Sequence, residues 1–281
     1  MLRKFGKAAV VTAITALVAH VQPANAATAV IGSCYQGADL GGVTPPPLSR
    51  ELFVIVDQTL VFNQSIKEEA FQKILQFLSP GDAVHVIGFS ANVSDRYTHI
   101  ILSGQIDQRL TDDNRYSIPK RSLQRLDACQ KNQDIQVRQN TGKALIYAFS
   151  QASTDLPKTE ILASLRTIAN DVISKSDIPD KYVLLVSDMM ENSELASFYG
   201  AGKLNKFATD PELDRLDAAG VFGDMQGAKA YVIGGGYVSD GNYRPSTELK
   251  SLQDFWTAYF ERSNGTMKLF GTPSLLGKIG D

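Results

Sequence analysis

Two short apolar runs constrain the fold of this chain more than anything else in it. They are Leu52-Phe-Val-Ile-Val-Asp57-Gln-Thr59 and Tyr182-Val-Leu-Leu-Val-Ser187-Asp188. A half-exposed strand alternates apolar and polar residues. These runs do not alternate, and their branched residues suit strands buried on both faces of a parallel sheet. Each ends abruptly in a carboxylate. After the first run, Ile66, Ala70, Ile74, Phe77 and Leu78 recur at helical spacing, which completes a strand–loop–helix unit. In open α/β sheets the ligand site lies just beyond the carboxyl ends of the strands. Asp57, Thr59 and Asp188 are therefore expected at one sheet rim, on neighbouring strands.

The same alternation continues along the chain. Residues 83–89 read as a second buried strand, in which His85 is expected to be a core or edge residue and not a ligand. Residues 96–103 read as an edge strand. Ile161, Leu165, Ile168 and Val172 predict a helix over 159–174, and residues 228–233 a further strand closed by Gly234-Gly235-Gly236. A short helix is expected around 211–218. Leu252, Phe255, Trp256 and Tyr259 mark a helix over 247–262 and are expected to pack on the sheet. Residues 267–270 form the last expected strand. The fold class that follows is α/β: a doubly wound, mostly parallel central sheet flanked by helices, with one antiparallel edge strand.

The remaining segments are read as additions. Residues 27–50 carry Gly37, Gly41, Gly42 and Pro45-Pro46-Pro47 and read as an N-terminal arm with little to offer a sheet. The domain proper is expected over 51–270, with a polar insertion around 104–140 that is helical from about Lys120 to Cys129. Asn140-Thr141-Gly142 is expected to open a new helix carrying Ala144, Leu145, Ala148 and Phe149. The tail, 271–281, is small and polar enough to be loose.

The first 26 residues have the form of an export signal. Arg3, Lys4 and Lys7 precede an apolar stretch over 8–19 that is too short to span a bilayer, and Ala24-Asn25-Ala26 offers a small–x–small cleavage pattern. Export predicts a periplasmic or secreted protein, and in that setting Cys34 and Cys129, the two cysteines present, are expected to pair as a disulfide. A rival reading makes Cys34 a lipidation site, but His20, Gln22 and Asn25 separate it from the apolar run. Formal net charge is −2, with basic residues scattered. No basic stripe for a nucleic-acid partner is present. Sequons at Asn63, Asn92 and Asn264 matter only in a cell that glycosylates exported proteins.

The loops after these strands carry oxygen ligands: Asp57 with Thr59, then Thr141, then Asp188. Few carboxylates with hydroxyls and retained waters suit a hard cation such as Mg²⁺ or Mn²⁺. No His/Cys set with zinc spacing is present. This arrangement resembles a von Willebrand factor type A domain. That family has an Asp-x-Ser-x-Ser loop after its first strand, a threonine in a middle loop and an aspartate after its fourth strand, which together form a metal-ion-dependent adhesion site. Here Asp57-Gln-Thr59-Leu-Val61 stands at the first loop and Thr141-Gly-Lys-Ala-Leu-Ile-Tyr-Ala148 resembles the threonine segment. Tyr182-Val-Leu-Leu-Val-Ser-Asp188-Met-Met-Glu-Asn-Ser193 resembles the fourth strand and its loop. Val61 replaces the second serine, and Met189 stands where a glycine is common.

The resemblance implies a binding module. Asp57, Thr59, Thr141 and Asp188 would hold a divalent cation directly or through water, and an acidic side chain of a protein partner would complete its shell. Two other readings stand beside it. The domain could be a structural component of an envelope or secretion assembly with a decayed metal site; apart from metal, Asp57 and Asp188 could merely cap the helices that follow. It could be a metal-dependent hydrolase, since residues 56–61 also resemble the first motif of haloacid dehalogenase-like enzymes. There the nucleophilic aspartate is replaced by Ile55, which cannot attack phosphorus.

Overall fold

The structure is a computed structural model and describes residues 28–90, 98–154, 158–200, 203–204, 209–238 and 244–281. The expected signal, residues 1–26, and the Asn92 sequon lie outside the described residues. Strand β1 (Ala29–Ile31) comes first. It is followed by β2 (Arg50–Asp57), α1 (Gln64–Phe77), β3 (Asp82–Phe89), β4 (Thr98–Ile106), α2 (Asp112–Tyr116) and α3 (Lys120–Ser150). Then come α4 (Ile161–Asp171), a 3-10 turn at Ile173–Lys175, β5 (Asp180–Val186) and a two-stranded ribbon of β6 (Tyr199–Gly200) and β7 (Lys203–Leu204). The chain ends with α5 (Thr209–Ala218), β8 (Lys229–Ile233), α6 (Ser246–Arg262) and β9 (Thr266–Phe270).

Seven strands form one sheet in the order β1-β4-β3-β2-β5-β8-β9. β2 lies at its centre, parallel to both β3 and β5, and β5, β8 and β9 continue in parallel. β4 runs antiparallel to β3. The reason β2 reads as an unbroken apolar run is visible in its packing. Leu52, Val54 and Val56 face a core built with Ile66, Ala70 and Ile74 of α1 and Val137 and Leu145 of α3. Phe53 and Ile55 face the other core, with Leu162 and Leu165 of α4, Leu213 and Leu216 of α5, and Phe255 and Trp256 of α6. All five β2 side chains are fully buried. Each such burial stabilises by roughly 1.5–3 kcal/mol, so a charge at any of these positions would be costly. The strand stops being apolar at Asp57, where the sheet meets its rim.

Three expectations about the additions change. The arm is not merely an appendage, because β1 pairs in parallel with β4 outside it and so covers the antiparallel strand. Side chains of the supposed insertion satisfy its backbone. Asp107 accepts from the Cys34 N–H at 2.6 Å, and the Gln133 amide donates to the Gly32 carbonyl at 2.8 Å. The Cys34–Cys129 disulfide, joining residues 95 apart in sequence, fixes the arm to α3. In the chain-entropy account, closing a loop of that size is worth about 4–5 kcal/mol.

The second change concerns α3, which runs unbroken for 31 residues. Asn140-Thr141-Gly142 therefore lies within a helix and does not open one. The polar look of residues 130–139 misleads, because Gln130 and Gln133 are buried and hydrogen-bonded. The third change is the tail. Leu275 and Ile279 are buried in the core beside α1, and the Lys73 ammonium donates to the Leu275 and Gly277 carbonyls at 2.9 and 2.7 Å. Four-residue spacing of two apolar residues was the available signal, and small neighbours hid it.

Candidate metal centre

Three chain segments converge at the carboxyl end of the central strands. The first is the turn after β2. Asp57 is fully buried, and its Oδ1 accepts from the Thr59 N–H at 2.9 Å and the Thr59 hydroxyl at 2.6 Å. Gln58 locks this turn in place: its N–H donates to the Phe89 carbonyl, and its side-chain amide to Ala148 at the end of α3. Val61, where a second hydroxyl would stand, is 46% exposed and has no oxygen to offer.

The second segment follows β5. The Ser187 hydroxyl donates to Asp57 Oδ2 at 2.8 Å, so β5 reaches across to the β2 carboxylate. Asp188 is partly exposed at the mouth of the site, and its Oδ1 accepts from the Met190 N–H at 2.9 Å. Met189 between them has φ +61°, a left-handed conformation that a bulky side chain adopts at a cost of order 1 kcal/mol or more. It is held there by burial and by the Trp256 indole, which donates to the Met189 carbonyl at 2.8 Å. The Gly234-Gly235-Gly236 turn after β8 supports the same loop. Gly236, at φ +71°, donates its N–H to the Asp188 carbonyl at 2.9 Å.

The third segment is the stretch before α4, and it carries a residue that sequence reasoning missed. Thr159 donates its hydroxyl to the Thr59 hydroxyl at 3.0 Å. Its backbone exchanges both hydrogen bonds with Asn192, at 3.0 and 2.9 Å, in the loop that follows Asp188. Thr141 is elsewhere. It is buried seven residues before Ala148 in α3, about 10 Å down the helix from the end that touches Gln58. Its hydroxyl has no hydrogen-bond partner among the described residues. The structure thus brings together Asp57, Thr59, Asp188 and Thr159, with Ser187 behind them, and leaves Thr141 in the helix packing. The signal for Thr159 was available: it immediately precedes the apolar periodicity of α4, in the segment that leads back to the site after the antiparallel strand.

The electrostatics of the site are those of two neighbouring like charges, one of them fully buried. Burial pushes the Asp57 carboxyl above its ordinary range, against hydrogen bonds from Thr59 and Ser187 that favour the charged form. Burial likewise pushes Asp188 well up, and the neighbouring charge of Asp57 pushes it further; the Met190 N–H and Arg244 oppose this. A third carboxylate lies behind the first two. Glu191 is fully buried, accepts from the Leu162 N–H at 2.9 Å at the start of α4, and is pushed up to about 7 by burial. Among the described residues no group of three or more His, Cys, Asp or Glu is placed so as to hold a metal ion together. Such a cluster is not needed by a site of two carboxylates and several hydroxyls. A groove of about 430 Å³ between α1 and α3, lined by Phe71, Leu145, Ile146 and Phe149, lies apart from this rim.

The sheet topology now meets the loops. With the arm strand set aside, β2, β3, β4 and β5 are the first to fourth strands. The Asp-x-Thr turn follows the first, a threonine stands in a middle loop, and an aspartate follows the fourth. This α/β arrangement matches the one that the resemblance to von Willebrand factor type A domains implies. No family model and no curated protein matches the sequence. Among solved structures this chain is similar to proximal thread matrix protein 1 from the mussel byssus, at 14% identity and TM-score 0.35, over 83% of this chain and 44% of that one. One form of that protein is described with a zinc-occupied MIDAS motif. It is also similar to an aerotolerance-related membrane protein from Bacteroides fragilis, at 12% identity and TM-score 0.34, over 79% and 90% of the two chains. A third is the pilus adhesin SpaC from Lactobacillus rhamnosus GG, at 13% identity and TM-score 0.37, over 81% and 28%. The chain therefore spans less than half the length of the first and third.

Proposed function

We propose that this VWA-like chain is an exported protein-binding module that holds a divalent cation at the rim of its sheet. Asp57, Thr59, Thr159 and Asp188 are the proposed ligand set, and Thr159 takes the place first given to Thr141. The observation that carries the reading is the pairing of two neighbouring carboxyls: Asp57, fully buried and bonded by the Thr59 and Ser187 hydroxyls, and Asp188, partly exposed beside it. Such a pair is unfavourable without a proton or a cation between them. Mg²⁺ or Mn²⁺ fits the oxygen-only donor set, with water filling the position that Val61 cannot. A cation so held keeps a face toward solvent, where an acidic side chain of a protein partner can bind it. The donor set contains no activated nucleophile, which favours binding over hydrolysis. Among the described residues no helix is long and apolar enough to cross a membrane.

The test is a melting experiment on metal-stripped protein. Millimolar Mg²⁺ or Mn²⁺ raises Tm by mass action if the native state binds it, and Asp188→Ala abolishes the rise. A second reading, in which the domain is a structural part of an envelope or secretion assembly, draws on Val61 and on the local turns that already occupy Asp57 and Asp188. An unchanged Tm at millimolar metal favours that reading.

A further inference from the structure

Glu191 is not in the proposed ligand set, yet it joins the two segments that bring Asp188 and Thr159 to the rim. It is fully buried and lies three residues beyond Asp188. One of its carboxyl oxygens accepts from the Leu162 N–H at 2.9 Å, in the first turn of α4. The next residue, Asn192, exchanges two backbone hydrogen bonds with Thr159, at 3.0 and 2.9 Å. Glu191 is itself fixed from behind. Its carbonyl accepts from the Phe198 N–H at 2.9 Å, and the Phe198 ring meets Phe255 edge-on, with 4.7 Å between centroids.

The carboxyl acts as a helix cap supplied from a distance. The first N–H groups of a helix lack partners within it. At the N-cap position of α4, Glu160 makes no side-chain capping bond. The acceptor comes instead from the loop after β5, 29 residues later than the donor. A local serine or aspartate would cap the helix as well, but it would not tie the helix to the Asp188 loop. The backbone pair at Thr159 is one point of attachment, and a chain held at one point can still turn about it. A second attachment at Leu162, three residues on, fixes its direction. Thr159 donates to the Thr59 hydroxyl at 3.0 Å, and Thr59 to Asp57 at 2.6 Å. The direction of this segment therefore sets how its hydroxyl meets the others.

We infer that Glu191 is a positioning residue for the cation site: by capping α4 from the Asp188 loop, it holds the Thr159 hydroxyl in its place among the ligands. The inference rests on the metal-binding reading above and deepens it, because it names a residue that sets affinity without touching the ion. Mg²⁺ tolerates little departure from octahedral geometry, so a hydroxyl displaced by about 1 Å no longer serves it.

The experiment is calorimetric titration of Mn²⁺ into the chelator-stripped full chain at pH 7.5. The parent is compared with Glu191→Met, Glu191→Gln, Thr159→Val and the double variant Glu191→Met/Thr159→Val. Methionine fills similar space and cannot accept from the Leu162 N–H, whereas glutamine can. Glu191→Met is expected to weaken binding about fivefold, and Glu191→Gln to stay within about twofold of the parent. The double variant is expected to bind within about twofold of Thr159→Val, because an effect that acts through Thr159 is already lost there. Glu191→Ala is run beside Glu191→Met, so that the contrast with glutamine survives if the methionine variant does not fold. If the parent binds and the methionine and alanine variants bind as tightly, the positioning role is overturned while the metal site stands. Losses that multiply in the double variant overturn it as well, since Glu191 would then act independently of Thr159. So does weakening by Glu191→Gln as large as that by Glu191→Met, which would make charge responsible. If the parent itself does not bind, the metal reading fails and takes this inference with it.

Discussion

The two ends of the central sheet handle buried charge in opposite ways. At the amino end of β2, each carboxylate named here has a basic or ring partner, with one Glu51 oxygen left over. Asp82 takes two hydrogen bonds from Arg50, at 2.8 and 2.7 Å, and one from the Ser79 N–H, while Arg50 also donates to the Phe77 carbonyl. Glu51 meets the His85 ring at 2.7 Å, and the other ring nitrogen meets Ser103. At the carboxyl end, Asp57, Asp188 and Glu191 are gathered within one set of loops and pushed upward by burial. A fold gains stability from the first kind of arrangement. The second opposes stability and is characteristic of places where a ligand or proton supplies what is lacking. The comparison teaches where to look for function even when no motif is complete.

The largest expected effect comes from breaking the matched end. Asp82→Ala strands a partly buried guanidinium and the Ser79 N–H, and should lower stability by about 3 kcal/mol or more. Denaturant unfolding measures it. The difference between metal-bound and metal-free Tm should survive, because the opposite rim is untouched.

Glu191→Gln tests the mismatched end through pH. The native pKa of about 7 lies above the ordinary glutamate value, so the native state holds a proton that the unfolded chain has released between about pH 4.5 and 7. Stability from this group is present at low pH and is lost as pH rises through that window. Glutamine does not titrate and retains the acceptor for the Leu162 N–H. The variant should therefore gain on the parent as pH rises, by an amount approaching about 3 kcal/mol above pH 7. Parallel unfolding curves at pH 4.5 and 8 check it; a gap that does not grow with pH would remove Glu191 from the mismatched group.

A smaller contrast separates the two threonines. Thr159→Val removes a hydroxyl that joins two site segments and should weaken Mn²⁺ binding severalfold with little change in stability. Thr141→Val should leave Mn²⁺ binding unaltered and add up to about 1 kcal/mol of stability, since its buried hydroxyl has no partner among the described residues. Calorimetry and unfolding on the pair read both.

These threonines also show where sequence reasoning reached its limit. The strands were legible because burial on both faces leaves an unbroken apolar run, and both carboxylates were legible because each ends such a run. Trp256, Phe255 and Tyr259 were legible as core by spacing, and all are fully buried. The threonine was not, because Thr141 precedes a clear apolar periodicity that in fact belongs to the second half of a longer helix. Buried glutamines held by the arm carry that helix through a polar stretch, and no local pattern reveals a polar side chain whose partner lies a hundred residues away. Ser187 stood in view beside Asp188, yet its role depends on a hydrogen bond across strands to Asp57. The docked tail depends likewise on Lys73, some two hundred residues earlier.

The central claim is that Asp57 and Asp188 form one cation site with Thr59 and Thr159. Anomalous diffraction from crystals soaked in Mn²⁺ tests it most directly. The account predicts a single strong peak enclosed by those four side chains, and it is contradicted if the peak is absent at millimolar Mn²⁺ or lies against Thr141 or elsewhere on the surface.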